Sequence, residues 1–219
     1  LFAPLAQVPG LNKNIDITLT LLQDMGRKLG VHKATGMDEW GSGHLRLWPL
    51  ALCERVSRLF EEVELQGRWP EALRGGMVSM LPKGNTGDPL DYRPVVLLPM
   101  LYRMRASVRA RELDRWMKVA GLGVLPGRST GAEEHGLLFA FALEYTRARG
   151  EWAGGLALEF TKAYDRMDSN MLEHMARQAR LPEWLWRPML NMYRAPRIVK
   201  MGSTVGEWRH PTHGLVPGC

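Results

Sequence analysis

Apolar residues recur every three or four positions along much of this chain, and that spacing predicts amphipathic helices. One apolar stripe runs from Leu45 to Val63, and Gly67 and Pro70 end it. Further helices are predicted from about Met100 to Val119, Thr130 to Arg149, Ser169 to Arg180 and Glu183 to Tyr193. Asp168 or Ser169 suits the N-cap of the helix that follows. We therefore expect a helix-rich chain.

Short apolar runs bounded by glycine or proline predict strands between these helices. MVSMLPK (Met77 to Lys83) and PVVLLP (Pro94 to Pro99) flank a turn-rich segment and could pair as a long-looped hairpin. GGLALEF, which ends at Phe160, is a third strand, and the tail contains two short strands around Gly202. Together these elements predict an α+β fold that is helix-rich with short antiparallel strands.

Composition limits the kinds of protein that the chain can be. With 219 residues, of which 45% are apolar, it can bury a core. A net charge of +6 and a pI near 9.6 favour a polyanionic partner such as nucleic acid, although a modest excess of Arg is also common on soluble proteins. Two cysteines suit a reducing compartment, and Cys53 lies on the apolar side of its helix. No apolar stretch approaches the roughly 20 residues needed to cross a bilayer, so we expect no membrane span.

One carboxylate, Glu159, stands at the end of the GGLALEF strand, in the stretch EFTKAYDRM. Period-two alternation places Glu159 and Thr161 on one face of this strand, while Leu158 and Phe160 occupy the other. A buried charge without a partner is costly, so Glu159 should be solvated, ion-paired or bound to a cation. A structural salt bridge and a metal-binding role both remain open at this point.

Basic residues form two further candidate sites. Lys83 ends one predicted strand and Arg93 begins the next, so together they could clamp phosphate oxygens, although each alone could equally be a solvated loop charge. The helix that follows carries several arginines, including Arg103, Arg105 and Arg109. These arginines indicate either a solvated face or a groove that tracks a phosphate backbone.

Six segments, taken in order, resemble the successive blocks of the reverse transcriptase domain of non-LTR (LINE-type) retrotransposons. They are KATGMD (33–38), GRWPEALRGGMVSMLPKGN (67–85), DYRPVVLLPMLYRMRASVRARELDRWM (91–117), LPGRSTGAEE (125–134), LALEFTKAYDRM (156–167) and GLVPGC (214–219). The resemblance covers nearly the whole chain beyond residue 32. It implies a right-hand polymerase, with an N-terminal helical extension over 1–32, a fingers-like subdomain over 33–150 and a partial palm-like subdomain over 151–219.

The resemblance also implies partners and roles for particular residues. The partners would be an RNA template, a DNA primer and a dNTP. Lys83 and Arg93 would contact the triphosphate, and Tyr164 matches the aromatic side chain that packs under the deoxyribose and excludes a 2′-hydroxyl. Further nucleotide-site positions are Phe160, Pro217 and Gly218, and the nucleic-acid contacts would come from Arg103, Arg105, Arg109 and Arg128. An intracellular protein is implied, with nuclear action following from how such elements integrate.

Two positions depart from the family pattern. Glu159 stands where the family has the Asp that binds two Mg²⁺ ions, and Pro217 replaces a Gln, which removes a backbone donor and an amide. Mg²⁺ demands near-octahedral ligands, so the longer glutamate can bind a cation but is not expected to place two correctly. The family's other metal-binding carboxylates lie in an aromatic-Ala-Asp-Asp sequence that these 219 residues do not contain. We therefore expect a polymerase fragment that is inactive by itself, or a catalytically decayed remnant that still binds RNA.

Overall fold

The computed structural model describes residues 11, 13, 16–28, 34–82, 84, 92–119, 132–152 and 163–215. Its helices are α1 (Leu19–Lys28), α2 (Ser42–Leu45), α3 (Leu50–Gln66), α4 (Met100–Val119), α5 (Ala132–Ala148), α6 (Ala163–Arg166), α7 (Ser169–Gln178) and α8 (Glu183–Tyr193), with a 3₁₀ turn at Glu71–Leu73. Its strands are β1 (Gly76–Pro82), β2 (Tyr92–Leu97), β3 (Arg197–Met201) and β4 (Thr204–Arg209). The chain divides into two compact units, one of residues 1–112 with 162–219 and one of residues 113–161.

The four strands form one sheet in the order β2-β1-β3-β4. β1 and β2 pair antiparallel, with Met77 opposite Leu97, and this confirms the predicted hairpin. β3 and β4 also pair antiparallel, around Gly202 as predicted. β1 and β3 instead run parallel, because helices separate them along the chain and a crossover can return the chain in the same direction. The expectation of antiparallel strands alone was therefore wrong for the centre of this mixed sheet.

The apolar stripe predicted from Leu45 to Val63 is buried at Leu45, Val56 and Val63, but it is not one helix. α2 ends at Leu45, and α3 begins at Leu50 after Pro49, whose fixed φ suits a helix start and is unfavourable inside a helix. Gly67 ends α3, as predicted, with a left-handed φ of 70° and its N–H bonded to the Val63 carbonyl.

The main core lies where α3 and α4 meet the sheet. Trp69 stands at its centre, with its ring edge-to-face against Phe60 at 6.2 Å and Tyr102 at 5.6 Å between centroids. The Trp69 backbone N–H donates to Asn191 Oδ1 at 3.0 Å, which links the segment after α3 to α8. Cys53 is also buried here, as predicted, and burial raises the pKa of its thiol. Aromatic packing thus joins α3 to α4, and the hydrogen bond to Asn191 adds α8.

Several helix predictions are confirmed. α4 and α8 have the predicted bounds, and α7 begins at Ser169 with Asp168 as its N-cap, where Asp168 Oδ1 accepts from the Asn170 N–H at 2.8 Å. The predicted GGLALEF strand lies outside the described residues. No helix within the described ranges is long and apolar enough to span a membrane.

The unit of residues 113–161 contains α5, whose bounds of Ala132–Ala148 agree closely with the predicted helix of 130–149. Its apolar side chains are exposed along the helix, including Leu138, Phe141 and Tyr145. Arg149 closes the end of α5 by stacking on the Tyr145 ring at 5.3 Å and donating to the Tyr145 hydroxyl at 2.6 Å. The fingers and palm boundaries expected from the sequence stay predictions.

Candidate functional site

The β1–β2 hairpin places one predicted phosphate-binding residue near the connection between its two strands. Leu81 pairs with Arg93 and Pro82 with Tyr92, so Arg93 lies at the end of β1 that leads to Lys83. The Arg93 side chain is exposed, and within the described ranges it makes no hydrogen bond or ion pair. Lys83 lies outside the described residues. This register thus places Arg93 beside Leu81, near the end of β1, and the phosphate clamp with Lys83 stays a prediction.

Two backbone hydrogen bonds connect α6 and the residue that follows it to the segment that leads to Pro217. The Leu215 N–H donates to the Tyr164 carbonyl at 2.7 Å, and the Gly214 N–H donates to the Met167 carbonyl at 2.8 Å. These bonds hold the segment that leads to Pro217 against the segment that follows Glu159, although the two are about fifty residues apart in sequence. The Tyr164 side chain is 69% exposed. Tyr164 is therefore available to a ligand.

Besides Lys83, five predicted site residues lie outside the described residues: Glu159, Phe160, Pro217, Gly218 and Arg128. Their roles stay predictions. Among the residues that the structure does describe, no group of three His, Cys, Asp or Glu side chains is placed to hold a metal ion.

Three arginines of α4, Arg103, Arg105 and Arg109, do not form the outer basic face that their number suggested. Arg103 is half-buried, and its Nη2 donates to the Ala34 carbonyl at 2.8 Å. Arg105 and Arg109 are each only 2% exposed. The sequence left two alternatives open for these arginines, a solvated face and a phosphate-tracking groove. Both place the side chains at the surface, so both are wrong for Arg105 and Arg109, whose side chains point into the protein.

Arg105 and Arg109 share one buried carboxylate, Glu64 of α3. Arg109 binds it bidentately, with Nε to Oε1 at 2.7 Å and Nη2 to Oε2 at 2.9 Å. Arg105 Nε donates to the same Oε1 at 3.1 Å, and Lys13 Nζ lies 3.1 Å from Oε2. Glu112 accepts from Arg109 Nη1 at 2.6 Å. We call Lys13, Glu64, Arg105, Arg109 and Glu112 the charged cluster.

Burial and neighbouring charges shift the pKa values of Glu64, Arg105 and Arg109. Burial raises the pKa of Glu64, but the hydrogen bond from Arg109 and the charges of Arg105 and Arg109 outweigh burial and hold this pKa below its usual range. Burial lowers the pKa of Arg109, yet its hydrogen bonds to Glu64 and Glu112 raise it overall. Burial lowers the pKa of Arg105 in spite of the Glu64 charge. Attraction between the ions therefore outweighs desolvation for Glu64 and Arg109, and both are charged at neutral pH.

The Arg105 guanidinium also donates a hydrogen bond to a carbonyl of α8 that lacks its helical donor. Pro188 lies inside α8 and has no N–H, so the carbonyl of Trp184, four residues earlier, loses its helical donor. Arg105 Nη2 donates to that carbonyl at 2.7 Å. The Arg109 guanidinium carbon lies 5.0 Å from the centroid of the Trp184 ring. Both arginines thus position α8 on α4, which is a structural role rather than a ligand-binding one.

Sequence reasoning missed Glu64, yet a signal for it was present. Glu64 follows Phe60 by four residues and Val56 by eight, so the helical period places it on the buried stripe of α3. Arg105 and Glu112 likewise share the buried stripe of α4 with Leu101. Charges of opposite sign at core positions of two helices predict a buried pair, provided that the helices pack together.

Asp38, in the KATGMD segment, was a second omission. Its Oδ2 accepts from the Met100 N–H at 2.6 Å and from the Leu101 N–H at 3.4 Å, so it caps α4 from 62 residues away. Burial raises the pKa of Asp38, and the hydrogen bonds from Leu101 and Met100 offset this only in part. Asp38 therefore fixes the start of the helix that carries the charged cluster.

Comparison with known proteins gives one distant relative and no matching family. No protein-family model matches the chain. The RNA-directed DNA polymerase from mobile element jockey of Drosophila melanogaster is 26% identical over 159 residues, which cover 69% of this chain. The same match covers 17% of the jockey protein. The similarity supports a relationship to reverse transcriptases, and the chain corresponds to a small part of that relative's length.

Proposed function

We propose that this chain is the fingers and partial palm of an RNA-directed DNA polymerase of a non-LTR retrotransposon, and that it binds nucleotide and nucleic acid without polymerising by itself. The observation that carries the proposal is the hydrogen bond from the Leu215 N–H to the Tyr164 carbonyl. It brings together two blocks that a polymerase of this family would need side by side at its nucleotide site. The similarity to the jockey polymerase supports the same function.

Arg93 is the described residue best placed to bind the triphosphate. It is exposed near the connection between β1 and β2, and Lys83 follows Pro82, the β1 partner of Tyr92. A guanidinium presents a planar fork that matches two phosphate oxygens, whereas an ammonium acts as a point charge. We assign Arg93 and Lys83 to the phosphates, and Tyr164 with Phe160, Pro217 and Gly218 to the sugar and base of a dNTP.

The described side chains do not supply the carboxylates that a two-Mg²⁺ site requires. No cluster of three acidic, His or Cys side chains occurs in the part of the chain that the structure describes. Glu159 is the residue that would contribute a ligand to Mg²⁺, and it is longer by a methylene than the Asp of the family. In-line phosphoryl transfer depends on ligand placement within about 1 Å, and a misplacement of that size can cost about a hundredfold in rate. We therefore assign no polymerisation step to this chain.

RNA binding with a steep salt dependence is the first test of the proposal. The affinity for a single-stranded RNA and for an RNA–DNA hybrid is measured from about 50 to 200 mM salt, a range over which phosphate-contacting proteins lose affinity strongly. Arg93→Ala should lower the slope of log K against log salt by about 0.7 to 0.9, the amount that one phosphate contact contributes. Arg55→Ala removes the same charge from an exposed position of α3 and should leave the slope unchanged. Equal slopes for the two variants would show that Arg93 does not contact a phosphate.

Primer extension is the second test. The chain should give no extended primer with Mg²⁺ and dNTPs, and Glu159→Asp should not restore synthesis, because further carboxylates are still missing. Robust synthesis by the unaltered chain would overturn the proposal that it does not polymerise alone.

A catalytically decayed, RNA-binding remnant is the second candidate, and the substitutions at Glu159 and Pro217 favour it. The two candidates differ in nucleotide binding. A retained polymerase site predicts that dATP binds and that Arg93→Ala abolishes this binding, whereas a remnant predicts RNA binding with no measurable affinity for dATP. Equilibrium dialysis with labelled dATP separates them.

A further inference from the structure

A cavity of about 250 Å³ opens at the end of the sheet opposite to Arg93. Gly75 precedes β1, Pro196 precedes β3, Pro99 follows β2 and Trp208 lies near the end of β4. The parallel and antiparallel pairings bring these four positions to the same end of the sheet. Met37 and the 3₁₀ turn at Glu71–Leu73 complete the wall. Residues at or next to the ends of all four strands thus line the cavity.

The walls of the cavity are apolar, and one of them is a flat ring. Trp208 is 48% exposed. Its ring lies directly over Gly75, since a Cβ on Gly75 would stand 3.2 Å from both Cη2 and Cζ3. Met37 is 41% exposed, and its sulfur lies 3.5 Å from the same point. A half-exposed indole beside a polarisable thioether is a surface on which another planar ring can stack.

Arg74 supplies a polar group to this wall. Its Nη1 lies 3.4 Å from Glu71 Oε2, a long ion pair in which Glu71 is 82% exposed. Its Nε is buried and finds no acceptor within the described part of the chain. The Nε is closed to the cavity, but the Arg74 side chain is 28% exposed, so its terminal Nη groups can donate to a ligand that carries a hydrogen-bond acceptor. The fitting ligand is therefore planar, with an acceptor at its edge.

We infer that this cavity binds a single unstacked base of an RNA strand, with the base stacked on Trp208 and accepting a hydrogen bond from Arg74. The volume lies below the roughly 300 to 1,000 Å³ of pockets for whole small molecules, so the ribose and phosphate stay outside. Single-stranded RNA is recognised through bases that stack on aromatic side chains. The choice of RNA over an aromatic side chain of a protein rests on the proposed function and on the net charge of +6.

Single-stranded RNA binding by Trp208 variants tests the inference. Trp208→Ala should weaken binding of a ten-nucleotide RNA by about 5- to 150-fold, which is the contribution of one base–aromatic stack. The slope against salt should not change, because no phosphate contact is lost. Trp208→Phe should retain most of the affinity, and Trp152→Ala, at a fully exposed tryptophan of the other unit, should retain all of it. Equal affinity of Trp208→Ala and the unaltered chain would overturn the inference.

A second variant guards against loss of folding in Trp208→Ala. Ala72 is exposed on the 3₁₀ turn and lines the cavity, so Ala72→Leu should obstruct it without changing the core. We expect Ala72→Leu to weaken RNA binding as Trp208→Ala does, while the urea midpoint stays unchanged. Unaltered RNA binding by a folded Ala72→Leu variant would count against the cavity.

Nucleoside titration separates failure of this inference from failure of the proposed function. Adenosine and uridine should shift the Trp208 indole N–H resonance, which is identified as the signal missing from Trp208→Phe. If the chain shows no salt-dependent RNA binding but this shift occurs, the proposed function fails and the base site stands. If neither nucleoside moves the resonance while a tyrosine-containing peptide does, the cavity is a protein-binding site and the inference is wrong.

Discussion

Arg109 binds Glu64 through two parallel hydrogen bonds, from Nε to Oε1 at 2.7 Å and from Nη2 to Oε2 at 2.9 Å, and both side chains are 3% exposed. The pair joins α3 to α4 at positions that the helical period places in the core. Buried ions of this kind are favourable only while every member keeps its partners. The charged cluster is therefore the part of the fold that is most sensitive to loss of a single charge.

Removal of the Glu64 charge should destabilise the chain strongly. Glu64→Gln leaves Arg105 and Arg109 buried without their shared carboxylate, and loss of one partner of a buried ion pair costs about 3 to 5 kcal/mol. Glu61→Gln, at an exposed position of the same helix, should change the free energy of unfolding by less than about 0.5 kcal/mol. Urea unfolding measures both, and similar values for the two variants would contradict the structural role of the cluster.

Acid should remove the contribution of Glu64. Its folded-state pKa lies below the unfolded value of about 4.3, so the unfolded chain takes up the proton first as the pH falls. The stabilisation is fully present above the unfolded pKa and is lost as the pH falls through the folded pKa. The difference in unfolding free energy between the unaltered chain and Glu64→Gln should be constant at neutral pH and should shrink below about pH 4. A difference that is constant down to about pH 3 would exclude Glu64 as the titrating group.

Arg105 and Pro188 should be energetically coupled through the Trp184 carbonyl. Pro188→Ala restores the N–H that this carbonyl lacks, so the carbonyl regains a helical donor besides Arg105. Arg105→Lys should therefore cost less in the Pro188→Ala background, with a coupling energy of about 0.5 to 3 kcal/mol. A double-mutant cycle from urea unfolding gives this value. Strict additivity of the two changes would show that Arg105 does not serve this carbonyl.

The cap that Asp38 provides should be worth less than the charged cluster. Asp38→Ala removes the acceptor for the Met100 and Leu101 N–H groups at the start of α4, and loss of an N-cap costs about 0.5 to 2 kcal/mol. Asp38→Asn should retain most of the stability, since asparagine caps about as well as aspartate. Asp24→Ala changes an exposed carboxylate on α1 and serves as the control. An Asn variant as unstable as the Ala variant would show that charge, and not hydrogen bonding, decides the effect.

Two glycines should respond in opposite directions to an added methyl group. A Cβ on Gly36 would lie 2.7 Å from Pro99 Cα and closer still to the Leu98 carbonyl, so Gly36→Ala should cost about 1 to 3 kcal/mol by forcing the backbone apart. A Cβ on Gly43, inside α2, meets nothing within 4 Å. Gly43→Ala should therefore stabilise the chain by about 0.5 to 1 kcal/mol. Thermal unfolding of the pair checks both signs.

Local patterns predicted the elements well because they depend on neighbouring residues. The three-to-four-residue spacing placed α4 and α8 correctly, and the apolar runs placed β1 and β2 on either side of a turn. Pro49 shows the limit of the method, since one rigid residue divides an otherwise continuous stripe into two helices. Lys83 and Arg93 were candidates from their places at the ends of two strands, whereas Tyr164 was predicted only through family resemblance, because a single Tyr on a surface has no spacing of its own.

The sequence by itself determined which segments are helical or extended, where Gly67 and Asp168 end or begin a helix, and that the chain carries an excess of positive charge. Tertiary structure decided what those charges do. The same type of side chain is a core ion at Arg109 and an exposed group at Arg93, because burial depends on which elements pack together and not on the residues nearby in sequence. The parallel pairing of β1 with β3 and the cavity beneath Trp208 likewise exist only once distant strands meet.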